Sequence, residues 1–316
     1  MEKTKQMLVK AEFWSIIEYI KIEEEIMNAY QIIIDTNSDL PQSYVKDNNL
    51  LQIPQYYSIG DTIYEGAGGI EPTEFYKMMR EGVMPQSQAI NPAVVEDTFR
   101  SVLDQGKAVL YLSFSGALSG SCDIARMVAK QLIEEDYPEG QIEIVDTLTV
   151  SLGEGLLINK ALQLQAQGKS IEEVRDWLEE NKHHQLCRFT VDDLFHLQRG
   201  GRVSKTTAVV GSILNIKPLL ELTPEGKLGQ AGTVRGRKKS LLALVDYMEA
   251  KIKGYEEMNE MVAIAHGACL EDAQFVAEQV TKRFGITNVM IGDVNPSIGV
   301  HSGPGAIGLL FFGSER

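Results

Sequence analysis

The chain has 316 residues, 44% of them hydrophobic and 23% charged, a composition typical of a soluble globular protein with room for two domains. Its formal net charge of −14 argues against broad electrostatic attraction to nucleic acid or to an anionic membrane surface. Cys122, Cys187 and Cys269 stand far apart, without the spacing of a metal site or a disulfide framework. We therefore expect reduced thiols in a cytoplasmic protein, with no metal and no cofactor.

Residues 1–29 read as an amphipathic helix that precedes the first core strand. The apolar run FWSIIEYI has only eight residues and contains Glu18, so it is too short to span a bilayer. The segment also lacks the small-residue cleavage site of a secretory signal peptide. We predict an appended N-terminal helical extension without stable membrane insertion; an extension that has no role is the alternative.

Residues 30–186 alternate between apolar runs of strand length and segments of helix length. The predicted strands are 31–35, 108–114 and 142–146, and two of the intervening helical segments end in glycine, as helices commonly do. This alternation predicts an α/β domain with a parallel sheet that is buried on both faces. A helical hairpin follows, and its second helix starts with a capping box formed by Ser170 and Glu173.

Residues 187–316 are predicted to form a second α/β domain, with the boundary near 180–190. Two runs joined by the turn TPEG indicate a hairpin of strands 216–222 and 227–234. The elements that follow are a helix at 236–253, a strand at 261–266, a helix at 269–284 and a strand at 287–292.

Two glycine-containing stretches come close to nucleotide-binding motifs without fulfilling them. GRVSKTT lacks the second glycine of the P-loop, and a turn at Gly200 and Gly201 with Ser204 capping a helix over 206–214 explains it better. HSGPGAIG at 301–308 fits G-x-G-x-x-G, but only eight residues follow it. These leave no room for the helix and second strand of a dinucleotide-binding unit.

The stretch FSGALSGS at 114–121 follows a predicted parallel strand and leads into a helix that starts near Ser119. Neither serine has the flanking glycines of the G-x-S-x-G nucleophile elbow. The carboxyl edge of a parallel sheet is nevertheless a place where hydroxyls and helix N–H groups bind small anions. The serines either bind such an anion or serve only as turn and cap.

Six stretches, taken in order, resemble segments of the DegV family of bacterial fatty-acid-binding proteins. The likeness runs from about residue 30 to the end. The stretches are IIIDTNSDLP, MPQSQAINP, FSGALSGS, DDLFHLQRGGRVS with ILNIKPLLEL, RGRKKS and HSGPGAIG.

The resemblance implies a two-domain α/β fold, with a parallel-sheet N-terminal domain, an α/β C-terminal domain and a lipid tunnel between them. Carried over by position, it implies that Ser87, Ser119 and His301 hold the carboxylate of a long-chain fatty acid, with Gly120 and Arg235 as further contacts to the head group or a partner. It also implies a monomeric, non-catalytic carrier that presents the acid to a fatty acid kinase for phosphorylation.

This residue set is chemically sufficient, because a buried carboxylate accepts hydrogen bonds and needs only donors around it. The chain has Ser87-Gln88-Ala89 and Ser121-Cys122 where the family shows Thr-Ser-Gln and Thr-Tyr. Two other functions stay open: a serine hydrolase that uses Ser119 with His301 on a lipid-like ester, and a sensor of another amphiphile. Against the hydrolase stand the missing elbow and the lack of an identifiable orienting aspartate.

Overall fold

The computed structural model describes residues 29–66, 68–192, 194–204 and 215–316. The predicted N-terminal helical extension, apart from residue 29, and the predicted helix over 206–214 lie outside these ranges. Within them, every helix is too short or too polar to cross a membrane.

The first half of the fold is built on a four-stranded, fully parallel sheet. Strand predictions at 31–35, 108–114 and 142–146 are confirmed to within one residue, because these apolar runs are buried between helices. In spatial order the strands are Leu51–Ile53 (β2), Tyr30–Asp35 (β1), Ala108–Ser113 (β6) and Ile142–Asp146 (β7).

Helices cover both faces of this sheet. On one face, Pro92–Leu103 (α3) and Ser121–Glu135 (α4) pack against a core that includes Phe99 and Tyr111. The helical hairpin is confirmed on the other face, as are both bonds of the predicted capping box between Ser170 and Glu173. The remaining helices of this half are Gln42–Asp47 (α1), Pro72–Arg80 (α2), Leu152–Ala166 (α5) and Ile171–Asn181 (α6).

A small antiparallel sheet of three strands lies between β2 and α3 in the sequence and was not predicted. Its strands are short and mostly polar, so they lack the apolar alternation on which strand prediction depends. In spatial order they are Thr62–Glu65 (β4), Tyr56–Ile59 (β3) and Gln86–Gln88 (β5).

The second half of the fold is built on a six-stranded mixed sheet. The hairpin predicted at 216–222 and 227–234 is confirmed to within one residue at each end. Helices Arg237–Lys251 (α8) and Leu270–Phe284 (α9) cover one face of this sheet. The strands, in spatial order, are Leu228–Arg235 (β10), Ile216–Leu222 (β9), Gln185–Thr190 (β8), Ile307–Phe312 (β13), Val262–His266 (β11) and Val289–Asp293 (β12).

Helix α5 joins the two halves. It contacts β8, β11 and β13 of the six-stranded sheet as well as β6 of the parallel sheet. Leu152, Leu156 and Leu157 of this helix are buried in one core cluster with residues of both sheets, among them Leu110 and Leu310. The two proposed domains therefore share a core, and β8 belongs to the second sheet from Gln185 onward.

The segment 301–308 contains the end of a helix, a glycine-rich turn and the start of a strand. His301 lies in the last turn of a short helix, Pro296–Ser302 (α10), which begins with a proline and is capped by the side chain of Asn295. Gly303 and Gly305 have φ of 73° and 78°, which explains why glycines occupy the turn that follows. Strand β13 then starts at Ile307 and runs between β8 and β11.

The confirmed capping box gives a stability prediction. We expect Ser170→Ala to lower the free energy of unfolding by about 1 kcal/mol, because the backbone N–H of Glu173 loses its acceptor at the start of α6. Urea denaturation followed by circular dichroism measures this. Ser101→Ala, on the exposed face of α3, is the matched control, and an equal loss in both variants would contradict the capping role.

Candidate functional site

A cavity of about 440 Å³ lies between the loops at the carboxyl ends of the parallel strands and the six-stranded sheet. This volume is within the range of about 300–1,000 Å³ found for small-molecule sites. Its polar lining includes Gln55, Ser87, Ser119, Ser151, Arg202 and His301. Its apolar lining is more extensive and includes Phe114, Leu118, Phe189, Leu228, Ile298 and Leu310.

Ser87 and His301 meet at the cavity wall although they are 214 positions apart in the chain. Ser87 lies on β5, which pairs with β3, and His301 lies on α10. The Oγ atom of Ser87 is 2.9 Å from Nε2 of His301. The small sheet that sequence analysis missed therefore positions one of the expected site residues.

Ser119 and Gly120 lie where α4 begins. Gly120 is the N-cap residue, and Oγ of Ser119 is 2.8 Å from Oγ of Ser121. The side chain of Gln55 donates to Oγ of Ser121 at 3.0 Å, so both hydroxyls belong to one hydrogen-bonded group. Ser119 and Gly120 line the same cavity as Ser87 and His301.

Arg235 occupies a different place. It is exposed at the last position of β10 and is not among the cavity-lining residues, whereas Leu228, at the first position of the same strand, is. Seven residues of extended chain separate the two by about 23 Å. The structure thus brings together Ser87, Ser119, Gly120 and His301, and leaves Arg235 outside that group.

Arg202 is a cation in the cavity wall that the sequence did not predict. Its guanidinium donates to the carbonyl oxygen of Leu118 through Nε at 3.3 Å and Nη2 at 3.1 Å. It also donates through Nη1 to the carbonyl oxygen of Gly200, whose α-carbon lies against His301. Arg202 therefore links the loop that carries Ser119 to the surroundings of His301. The sequence did contain one signal for Arg202, namely its position in LQRGGRVS, within one of the six stretches that resemble the family.

Arg199 braces the elements that carry Ser87 and His301. It lies at the end of helix Phe195–Arg199 (α7), and its Nη2 donates to the carbonyl oxygens of Pro85 and Val300, each at 3.1 Å. Pro85 leads into β5 and Val300 precedes His301. One side chain thus fixes the distance between the two partners.

The imidazole of His301 is held in its neutral form. Burial, together with the positive charges of Arg202 and Arg199, lowers the pKa of His301 to about 4. Its Nδ1 is buried without a hydrogen-bond partner among the described residues, and a Cβ placed on Gly200 would lie only 2.0 Å from it. Because an unpaired buried N–H is unfavourable, the proton is better placed on Nε2, which faces Ser87 and the cavity.

Two fifteen-residue helices begin at the cavity wall. The N-cap residue is Gly120 for α4 and Ser151 for α5, and both line the cavity. The unpaired N–H groups of a helix N-terminus carry a partial positive charge. Both helix starts therefore favour a negatively charged group at this end of the cavity.

The carboxyl groups of Asp35, Asp39 and Glu154 lie near the start of α5. Burial raises the pKa of Asp35 to about 6 and raises the pKa values of Asp39 and Glu154 well above their ordinary range. Asp39 accepts a short hydrogen bond from Ser151, and both carboxyl oxygens of Glu154 are without a partner in the described part of the chain. Protonation of Asp39 and Glu154 is favoured, which limits their repulsion of an anion in the cavity.

Comparisons with known proteins agree with this architecture. A sequence profile of the family described as "Uncharacterised protein, DegV family" matches residues 29–314. A DegV domain-containing protein of Clostridium perfringens is 38% identical over 292 residues, covering 92% of this chain and 99% of its own length.

Two solved structures are similar over nearly their whole length. A fatty-acid-binding DegV family protein of Thermus thermophilus has a TM-score of 0.80 at 28% identity, covering 90% of this chain and 99% of its own. A stearic-acid-binding protein of Eubacterium ventriosum has a TM-score of 0.78 at 25% identity, covering 90% and 98%.

The neutral state of His301 gives a testable prediction. We expect its NMR titration midpoint in the ligand-free protein near pH 4, and a higher midpoint in Arg199→Met because a nearby positive charge is removed. Arg126→Met, which removes a guanidinium paired with Asp123, is the control and should leave the midpoint unchanged. A wild-type midpoint near the ordinary value of 6.5 would contradict the assignment.

The sign of the linked stability change follows from the lowered pKa. Between about pH 6.5 and pH 4 the unfolded chain binds a proton at His301 that the folded chain does not, so this residue's contribution to stability falls as the pH falls. The stability of His301→Gln should therefore decrease less than that of wild type across this window in chemical denaturation.

Proposed function

Because this chain belongs to the DegV family, we propose that it is a non-catalytic carrier that binds a long-chain fatty acid in the cavity. Ser87, Ser119 and His301 hold the carboxylate, with Gly120 beside it, and the apolar lining holds the acyl chain. The observation that carries the proposal is the meeting of these four residues in the wall of one largely apolar cavity.

The polar part of the cavity has the donors that an ionised carboxylate requires. The hydroxyls of Ser87 and Ser119 donate to this acceptor-only group, and the Nε2–H of His301 is shared between Ser87 and the carboxylate. Hydrogen bonds to a charged acceptor contribute about 1.5–3 kcal/mol each. Every methylene of the acyl chain adds about 0.8 kcal/mol on burial. Ordering of the ligand offsets part of this sum.

Electrostatics supports an anion at this position. Arg202 lines the cavity and Arg199 lies next to His301, while α4 and α5 begin at the wall. These charges offset the cost of removing a carboxylate from water. They also explain why the imidazole acts as a neutral donor rather than as a second cation.

The arrangement of His301 favours a carrier over a serine hydrolase. In a catalytic triad the histidine bonds the nucleophile through one ring nitrogen and an orienting carboxylate through the other. Here Nε2 bonds Ser87 rather than Ser119, and Nδ1 lies against Gly200, where a carboxylate has no room.

We also propose that the protein presents the bound acid to a fatty acid kinase. An exposed Arg235 on the outside of the six-stranded sheet suits contact with a partner protein better than contact with the buried acid. The three free cysteines and the high negative charge support a cytoplasmic carrier. We propose that it acts as a monomer.

Mass spectrometry tests the carrier function. Purified protein measured under native and denaturing conditions should differ by the mass of one long-chain fatty acid, and delipidated protein should regain that mass with palmitic acid. A protein that is isolated empty and takes up no fatty acid would exclude the proposal. Ester hydrolysis that Ser119→Ala abolishes, without bound lipid, would favour the hydrolase.

Head-group variants test the proposed ligands of the carboxylate. We expect Ser87→Ala, Ser119→Ala and His301→Leu each to weaken palmitic acid binding by about tenfold or more, because each removes a hydrogen bond to a charged acceptor. Isothermal titration calorimetry of delipidated proteins measures this. Ser101→Ala is the control, since its hydroxyl is exposed on α3. Affinities equal to wild type in all three variants would show that the carboxylate binds elsewhere.

A further inference from the structure

Gly308 is the one glycine of HSGPGAIG whose backbone does not explain it. Unlike Gly303 and Gly305, it does not have a positive φ, and it lies inside the central strand β13. Glycine weakens a strand interior, and it often marks a place where a ligand approaches the backbone closely. Its neighbours in sequence, Ile307 and Leu309, are large apolar residues packed on the opposite face of the sheet.

The strand register gives Gly308 two cavity-lining neighbours. It is directly opposite Phe189 of β8 on one side and Ala265 of β11 on the other. Residues directly opposite on neighbouring strands share a face of the sheet. Phe189, Gly308 and Ala265 therefore form one row across three strands, and all three line the cavity.

The next row of the same face also reaches the cavity through Leu310 and Cys187, but α5 packs against it. Leu310 lies opposite Cys187 and Ala263, in the core cluster that includes α5, and a Cβ on Gly153 of α5 would be 2.9 Å from Leu310. At Gly308 the surroundings differ. The three atoms nearest to an added Cβ belong to the adjacent strand β8, the closest being Cβ of Phe189 at 3.3 Å. A larger side chain would therefore extend into the cavity.

We infer that the row Phe189–Gly308–Ala265 is the floor on which the acyl chain lies, and that Gly308 sets the width of the cavity for that chain. This inference rests on the proposed function. A methylene chain in van der Waals contact with the Gly308 backbone lies about 3.5–4.0 Å from it. A Cβ would project about 1.5 Å toward the chain, and the branched side chain of valine would occupy its path.

The variant Gly308→Val separates this role from a purely structural one. A β-branched residue suits a strand interior, and its Cβ would make a close contact of 3.3 Å with Cβ of Phe189, so the ligand-free variant should stay folded and melt near the temperature of wild type. Its affinity for palmitic acid should be about tenfold weaker or worse, because the acyl chain meets an overpacked wall. Gly308→Ala should show a smaller loss in the same direction.

Delipidated proteins are compared by differential scanning calorimetry and by titration with palmitic acid. Gly229→Val is the matched control, since Gly229 is a strand residue of β10 outside the cavity lining, and its affinity should equal that of wild type. Undiminished palmitic acid binding by Gly308→Val would overturn the inference. A clear loss of ligand-free stability in this variant would also overturn it, because it would mean that Gly308 faces no free space. A wild-type protein that binds no palmitic acid would instead contradict the proposed function itself.

Discussion

The packing of helix α5 between the two sheets is the contact on which the cavity depends. Its leucines are buried against strands of both sheets, so the helix acts as a spacer that sets the distance between them. The helix begins at Leu152, and Val150 and the N-cap residue Ser151 line the cavity. The cavity continues the space between the two sheets beyond the N-terminal end of α5. Both halves of the fold therefore contribute to its wall.

The same helix start contributes to the polarity of the site. Together with the start of α4, it places the positive end of a helix dipole at the cavity that Ser119, Ser87 and His301 line. Arg199 and Arg202 donate to backbone carbonyls, and neither forms an ion pair with a carboxylate among the described residues, so their charges stay available to the cavity. The raised pKa values of Asp39 and Glu154 fit this pattern, because a protonated carboxyl group repels an anion less than a carboxylate does.

Local sequence signals predicted much of the fold. Buried apolar runs located the main parallel strands, and the capping box at Ser170 located a helix start, because short-range physics determines both. The short polar strands of the small sheet escaped prediction, since tertiary contacts stabilise them. The resemblance to the family indicated Ser87, Ser119 and His301 as site residues, but not Arg199 or Arg202, whose roles depend on carbonyl groups far away in the chain. The distance of Arg235 from the cavity could not be predicted either, because it depends on where β10 lies in the sheet.

Strand β13 has a consequence for how the protein is made. It lies in the middle of the six-stranded sheet, between β8, more than a hundred residues earlier in the chain, and β11. During translation β8 and β11 leave the ribosome before residues 307–312 do, and until then their central partner is missing. Insertion of a late strand between two earlier ones is a non-local step, which slows folding. The cavity therefore cannot form in a nascent chain until this step is complete.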